Sequence, residues 1–87
     1  MTITMKNPRG QSYVLDSVDT GTDITLLGTQ KIIHVNYPIS EIKAGWRLWE
    51  RGAYIQVALG FLSADEREFL MTGITSEEWH EMFGDGD

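Results

Sequence analysis

Two helix starts lie within residues 63–78, which read SADEREFLMTGITSEE. Ser63 followed by Glu66, and Thr75 followed by Glu78, both fit the capping box. In that motif a hydroxyl accepts a hydrogen bond from the amide three residues on, and the glutamate carboxylate accepts one from the amide of the capping residue. The stretch therefore predicts that two helices begin in succession in the last third of the chain.

Glycines predict where these two helices end. Gly73 suits the left-handed conformation that often closes a helix, so the first helix should cover residues 64–72. The second should continue to about Phe83, because Gly84 follows it. Trp79 and Phe83 lie on the apolar side of this last helix, and we expect both to pack under the preceding helix.

An earlier helix is predicted from Glu41 to about Arg51, with Ser40 as its N-cap and Gly52 as its stop. Its apolar face consists of Ile42, Ala44, Trp46, Leu48 and Trp49. Its opposite side carries a basic row, Lys43, Arg47 and Arg51. Residues 53–62 fit either a helix or a buried strand, and their helical flanks favour the helix.

The first half of the chain predicts antiparallel strands. Apolar and polar residues alternate over residues 2–6, and the turn-forming residues 7–10 separate them from a second alternating run at 11–16. These two runs should form a hairpin. Further strands are predicted at 24–27 and 31–37, where the second ends before a proline.

Together the elements predict an α+β fold, in which an N-terminal antiparallel hairpin, extended to a three- or four-stranded sheet, packs against three to four short C-terminal helices. We expect residues 1–83 to form a single domain and residues 84–87 to be a flexible acidic tail. The chain has no cysteine, which excludes disulfides, zinc–thiolate sites and thiol nucleophiles. No apolar run approaches the roughly 18 residues that span a bilayer, so we expect a soluble protein.

Charge is distributed unevenly along the chain. Residues 63–87 carry eight acidic side chains and one basic one, whereas residues 1–62 carry five and six. An acidic final third opposes direct binding to nucleic-acid phosphates and favours a partner with a basic surface. Capping explains Glu66 and Glu78, and the acids that remain on the two helices are Asp65, Glu68, Glu77 and Glu81. We expect these four to form one solvated negative surface that binds the partner.

Aromatic side chains offer an alternative binding surface. Three tryptophans in 87 residues are many for a small domain. We expect Trp46 and Trp79 in the core, and Trp49 and Tyr54 partly exposed as anchors for a partner. In this alternative the acidic face is only solvated and the aromatic anchors provide the affinity.

No residue pattern indicates catalysis. The glycines do not form a phosphate-binding loop, and His34 and His80 lack the spacing of metal ligands. Capping and the helix dipole account for the paired carboxylates. We therefore expect no enzymatic activity, no catalytic residue, no cofactor and no metal.

One extended motif covers about half of the chain. It consists of Ile-Gln-x-Ala at residues 55–58, Leu-Ser-x-Asp-Glu-Arg-Glu-Phe-Leu-Met-Thr-Gly-Ile-Thr at 62–75, Glu-Glu-Trp at 77–79, and Phe83. With this motif, the chain from about Ile39 onward resembles small uncharacterised proteins encoded by bacteriophages. The resemblance implies a phage gene product in the cytoplasm of an infected bacterium, and it implies no activity, cofactor or site residue.

These observations predict a small acidic accessory protein that works by binding another macromolecule, such as an inhibitor of a host or anti-phage defence protein. The alternative is a structural or assembly component of the virion. The sequence leaves the partner and the oligomeric state open.

Overall fold

The computed structural model describes residues 1–83, so the tail predicted at residues 84–87 lies outside the described range. The described chain forms four strands followed by four helices, as the sequence predicts. The strands are β1 (Thr2–Lys6), β2 (Ser12–Val18), β3 (Gly21–Leu26) and β4 (Lys31–Val35). The helices are α1 (Ile39–Glu50), α2 (Ile55–Ala58), α3 (Ala64–Thr72) and α4 (Ser76–Phe83). The α+β fold class is thereby confirmed.

The strands form one antiparallel sheet in the order β1-β2-β3-β4, so each connection is a hairpin. The third strand begins earlier than predicted, at Gly21. That residue has a φ of 149°, and a Cβ there would lie 2.1 Å from the carbonyl oxygen of Val35. Glycine is therefore required where the start of β3 passes close to the end of β4.

One face of the sheet is covered by the helices. Its buried side chains are Tyr13, Leu15, Thr22, Ile24, Leu26 and Val35. The apolar ones belong to one buried cluster with apolar side chains of α1, α2 and α3. The alternation of buried and exposed residues along each strand follows from the two-residue side-chain period.

Helix α1 begins earlier than the sequence indicates, and Ser40 is not its N-cap. Pro38 occupies the N-cap position with an extended backbone, and no side chain caps the helix. The Pro38 carbonyl accepts hydrogen bonds from the amides of Glu41 (3.0 Å) and Ile42 (3.3 Å). Proline suits a helix entrance because its φ is already fixed, and Ile39 is drawn into the first turn because its side chain is buried.

The buried face of α1 is narrower than predicted. Ile42, Trp46 and Trp49 are buried as one face, whereas Ala44 and Leu48 are exposed. Gly45 completes the buried face because α2 approaches the backbone there: a Cβ on Gly45 would lie 2.5 Å from both the Ala58 carbonyl oxygen and a Leu59 methyl group. In residues 53–62 the predicted helix is reduced to the single turn Ile55–Ala58.

Both predicted capping boxes form. The Ser63 hydroxyl accepts from the Glu66 amide (3.1 Å), and the Glu66 carboxylate accepts from the Ser63 amide (2.9 Å). Thr75 and Glu78 make the same pair of bonds at 3.2 and 3.0 Å. Gly73 ends α3 in the left-handed conformation, with a φ of 83°.

The turn between β1 and β2 reaches across the molecule to the end of α3. The Asn7 amide group donates to the Leu70 carbonyl (2.8 Å), and the Gln11 amide group donates to the Thr72 carbonyl (3.2 Å). The last carbonyls of a helix have no partner within the helix. Side chains from the sheet therefore cap the C-terminus of α3.

Tyr13 lies at the centre of the core and is fully buried. Its ring packs edge-on against Trp46 (5.6 Å between centroids) and Phe69 (5.7 Å). Its hydroxyl donates to the Phe69 carbonyl at 2.7 Å. Burial raises the pKa of Tyr13 to about 12, so the hydroxyl keeps its proton, and its hydrogen bond, well above neutral pH.

We expect Trp46→Ala to cost roughly 3–5 kcal/mol, because the mutation empties a fully buried site. It also removes the hydrogen bond from the indole nitrogen to the Lys6 carbonyl (2.7 Å). Trp79→Ala should cost clearly less, because Trp79 is 42% exposed. Urea unfolding of both variants measures the difference. Equal costs would contradict the burial of Trp46 relative to Trp79.

We expect Ser63→Ala and Thr75→Ala each to lower the free energy of unfolding by about 1 kcal/mol, through loss of a helix cap. Ser40→Ala is the matched control. Ser40 is exposed and caps nothing, and alanine favours a helix. Thermal or urea unfolding should therefore show no loss for this variant. A loss at Ser40 equal to that at Ser63 would show that α1 starts where the sequence first indicated.

Candidate partner-binding surface

An open cleft lies between the first half of α3 and α4 and has a volume of about 180 Å³. Its apolar lining comes from Ala64, Ile74 and Trp79, and its acidic lining comes from Asp65 and Glu68. We call this site the acidic cleft. It places one large aromatic side chain beside two carboxylates.

The local sequence positions both walls of the cleft. The two capping boxes start α3 and α4, and Gly73 turns the chain between them. Gly73 has a φ of 83°, a left-handed conformation that favours glycine, and a Cβ there would lie 2.5 Å from a Leu26 methyl group of β3. Lys31 then ties the turn to the sheet: its Nζ lies 2.9 Å from the Glu78 carboxylate and donates to the Gly73 carbonyl at 3.3 Å.

The two carboxylates of the cleft each have one neighbouring donor. The Ser76 hydroxyl donates to Asp65 at 3.2 Å, and the Thr72 hydroxyl donates to Glu68 at 3.0 Å. An ionised carboxylate has about four acceptor sites, so both groups keep capacity for a ligand. A cationic side chain over the face of an indole ring is further attracted by the ring quadrupole. The cleft is thus chemically suited to a lysine or arginine side chain.

The four predicted acidic site residues fall into two pairs. Asp65 and Glu68 line the cleft, whereas Glu77 and Glu81 are exposed on α4. Glu77 and Glu81 lie two residues before and two after Trp79, and the helical repeat places both roughly on the opposite side of α4 from it. The partner-binding role of all four stays a prediction.

The two predicted aromatic anchors differ in their exposure to solvent. Trp49 is only 9% exposed, and its ring packs edge-on against Trp46 at 5.4 Å. The expectation that Trp49 is exposed was wrong, because α1 turns this residue into the core. Tyr54 is 75% exposed, as an anchor requires. Its role in binding stays a prediction.

Trp79 is the cleft residue whose environment the sequence interpretation missed. It was expected in the core, but it is 42% exposed and lines the cleft. An apolar stripe on a helix indicates a contact but not how complete that contact is. One signal was present in the sequence: Asp65 and Glu68 lie on the helix that Trp79 must face, and carboxylates are poor neighbours for a fully buried indole.

The exposed sheet face carries a row of polar side chains. Asp16 and Asp23 stand opposite each other on neighbouring strands, which is unfavourable for like charges. Thr2 donates to Asp16 at 2.7 Å, and His34 Nδ1 lies 2.7 Å from Asp23. Thr20 lies 3.0 Å from the other nitrogen of the same ring. These contacts account for His34 as a surface residue of the sheet.

The described part of the chain contains no group of three or more histidine, cysteine, aspartate or glutamate side chains that could hold a metal ion. Within residues 1–83, no helix is both long and apolar enough to cross a membrane. Comparisons with protein-family models, with curated proteins and with solved structures found no match.

We expect acid to weaken the attachment of α4 through Glu78. The Thr75 amide and the Lys31 side chain hold the pKa of this carboxyl below its ordinary value of 4.5. A lowered pKa contributes stability that is present above the unfolded-state value and is lost as pH falls through the folded-state value. Wild type should therefore be more stable than Glu78→Gln near neutral pH, and the difference should shrink as pH falls below about 4.5.

Urea unfolding of both proteins at a series of pH values measures this difference. Glu77→Gln is the matched control, because Glu77 is exposed on the same helix and makes no ion pair with Lys31. A difference between wild type and Glu78→Gln that does not change with pH would contradict the role assigned to the Lys31–Glu78 pair.

Proposed function

We propose that this chain is a small acidic binding protein, not an enzyme, and that it docks a basic segment of another protein on the acidic cleft. The observation that supports this proposal is the placement of Trp79, Asp65 and Glu68 around one open cavity. Charge-assisted hydrogen bonds to the carboxylates and the cation–π attraction of the indole act on the same ligand group. A single lysine or arginine side chain can make both of these interactions.

The size of the cleft favours a side chain over a small-molecule ligand. Its volume is about 180 Å³, whereas pockets that enclose drug-sized ligands measure roughly 300–1,000 Å³. A cleft of this size contributes one anchor point, and the surrounding surface must supply the rest of the contact. This is the arrangement expected of a protein–protein interface, in which a few central residues carry most of the affinity.

The overall charge supports a basic partner. The formal net charge is −6, and the region from residue 63 onward is strongly acidic. Such a surface repels nucleic-acid phosphates and speeds association with a positively charged protein. An inhibitor of a host or defence protein would act in this way by occupying a basic surface that its target needs. The phage context of this role comes from the sequence resemblance.

Binding of a short arginine-containing peptide to the full chain tests the cleft directly. We expect Trp79 fluorescence to change on binding, and the affinity to fall with added salt because exposed charges are screened. In Asp65→Asn/Glu68→Gln the affinity should fall by roughly tenfold, which corresponds to about 1.4 kcal/mol. Trp79→Leu should also weaken binding. Calorimetry measures both effects.

Glu77→Gln/Glu81→Gln is the matched control, because it removes the same number of charges, but from the opposite side of α4. Its affinity should stay close to that of wild type. Equal losses in the two double variants would mean that the peptide responds only to net charge, and the cleft would then be excluded as the site. Tighter binding of an acidic peptide than of the basic one would overturn the proposal as a whole.

The identity of the partner needs a separate experiment. The wild-type chain and Trp79→Leu serve as paired baits in a bacterial lysate, with mass spectrometry of the retained proteins. A host or defence protein retained only by wild type supports the inhibitory role. Capsid or tail proteins retained from infected cells support the alternative of a virion component.

A further inference from the structure

A second exposed surface lies at the corner formed by α1 and α2. It consists of Arg47, Leu48, Arg51, Tyr54 and Val57, and we call it the basic corner. Leu48 is 50% exposed, Tyr54 is 75% exposed and Val57 is 72% exposed. Both arginines are exposed as well. Large apolar side chains grouped beside arginines mark an interaction surface.

Local contacts bring the apolar members of the basic corner together. The Ala53 amide donates to the Leu48 carbonyl at 3.1 Å, so the chain folds back on the end of α1. The Val57 amide donates to the Tyr54 carbonyl at 2.9 Å, which forms the single turn of α2. Tyr54 and Val57 are therefore neighbours on one side of that turn, next to Leu48.

The arginines border this apolar group. Arg47 and Arg51 are four residues apart and form one ridge along α1. The helical repeat places Leu48 between that ridge and Gly45, where α2 contacts α1. Glu50 lies on the other flank of the ridge, away from the apolar group. The basic corner thus combines positive charge with exposed apolar area, although the chain as a whole is acidic.

The acidic cleft has the complementary composition. Asp65 and Glu68 supply negative charge, and Trp79 supplies exposed apolar area. Met82 is 58% exposed and lies one helical turn after Trp79, so it extends the apolar area along α4. A phosphate backbone would match only the charge of the basic corner. A surface like the acidic cleft matches both its charge and its apolar side chains.

Within one copy of the chain, the basic corner and the acidic cleft do not pair with each other. They lie on different helix pairs, α1–α2 and α3–α4. Within residues 1–83, neither the Lys31–Glu78 ion pair nor the contact between the His34 ring and Asp23 includes an arginine of the basic corner. The arginines of the basic corner are therefore not held by an ion pair within the described part of the chain.

We infer that the basic corner docks on the acidic cleft of a second copy of this chain, with Arg47 or Arg51 as the cation beside Trp79. The inference rests on the proposed function in one respect, because it assigns an occupant to the same cleft. The contact joins two different surfaces and is heterologous. Each bound pair keeps one unoccupied corner and one unoccupied cleft, so association continues into a ring or an open chain.

Charge-reversed variants of the full chain test this inference by sedimentation velocity at increasing protein concentration. Wild type should show a sedimentation coefficient that rises with concentration. Arg47→Glu/Arg51→Glu removes the basic corner, and Asp65→Lys/Glu68→Lys removes the acidic cleft. Each variant alone should stay monomeric. A mixture of the two should associate, because one variant keeps an intact cleft and the other keeps an intact corner.

The neutral pairs Arg47→Gln/Arg51→Gln and Asp65→Asn/Glu68→Gln repeat the test, and circular dichroism confirms that each variant is folded. Wild type that stays monomeric at every concentration would overturn the inference. A mixture that fails to associate, while wild type does associate, would overturn it as well. Peptide binding at the cleft distinguishes failure of this inference from failure of the proposed function. If wild type is monomeric but still binds the arginine peptide, a second copy is excluded as the occupant of the cleft and the proposed function stands.

Discussion

The side chain of Tyr13 joins the three parts of the core. It comes from the second strand of the sheet, its ring contacts Trp46 of α1 and Phe69 of α3, and its hydroxyl bonds the backbone of α3. A buried hydroxyl without a partner would be costly, so the Phe69 carbonyl must remain within reach. This requirement fixes the distance between α3 and the sheet. The acidic cleft depends on it, because α3 forms one of its walls.

Local features of the fold were predictable from the sequence because their causes are local. The capping boxes at Ser63 and Thr75 bring together residues three positions apart, and both formed as predicted. The hairpins follow from alternation and turn residues. The start of α1 was predicted less well, because Pro38 and Ser40 are both good helix-entry residues. Burial of Ile39 decided between them, and burial is a tertiary property.

The candidate site was only partly predictable. Asp65 and Glu68 were among the expected binding residues, and they line the cleft. Trp49 and Trp79 were assigned to the wrong environments, although both lie on apolar helix stripes. The difference arises from what covers each helix. Gly45 lets α2 come close to α1 and the core encloses Trp49, whereas α4 contacts the rest of the molecule mainly through α3 and Lys31.

The capping of α3 by the first turn of the chain has a consequence for biosynthesis. Asn7 and Gln11 are made early, but their acceptors at Leu70 and Thr72 emerge from the ribosome more than sixty residues later. The sheet has only hairpin connections and can pair its backbone as it emerges, since local contacts form quickly. The part of its apolar face that α3 covers and these two amides must then remain in water until α3 is complete. The nascent chain therefore passes through an interval in which a paired sheet exposes apolar side chains to solvent. Packing of α3 on the sheet ends that interval.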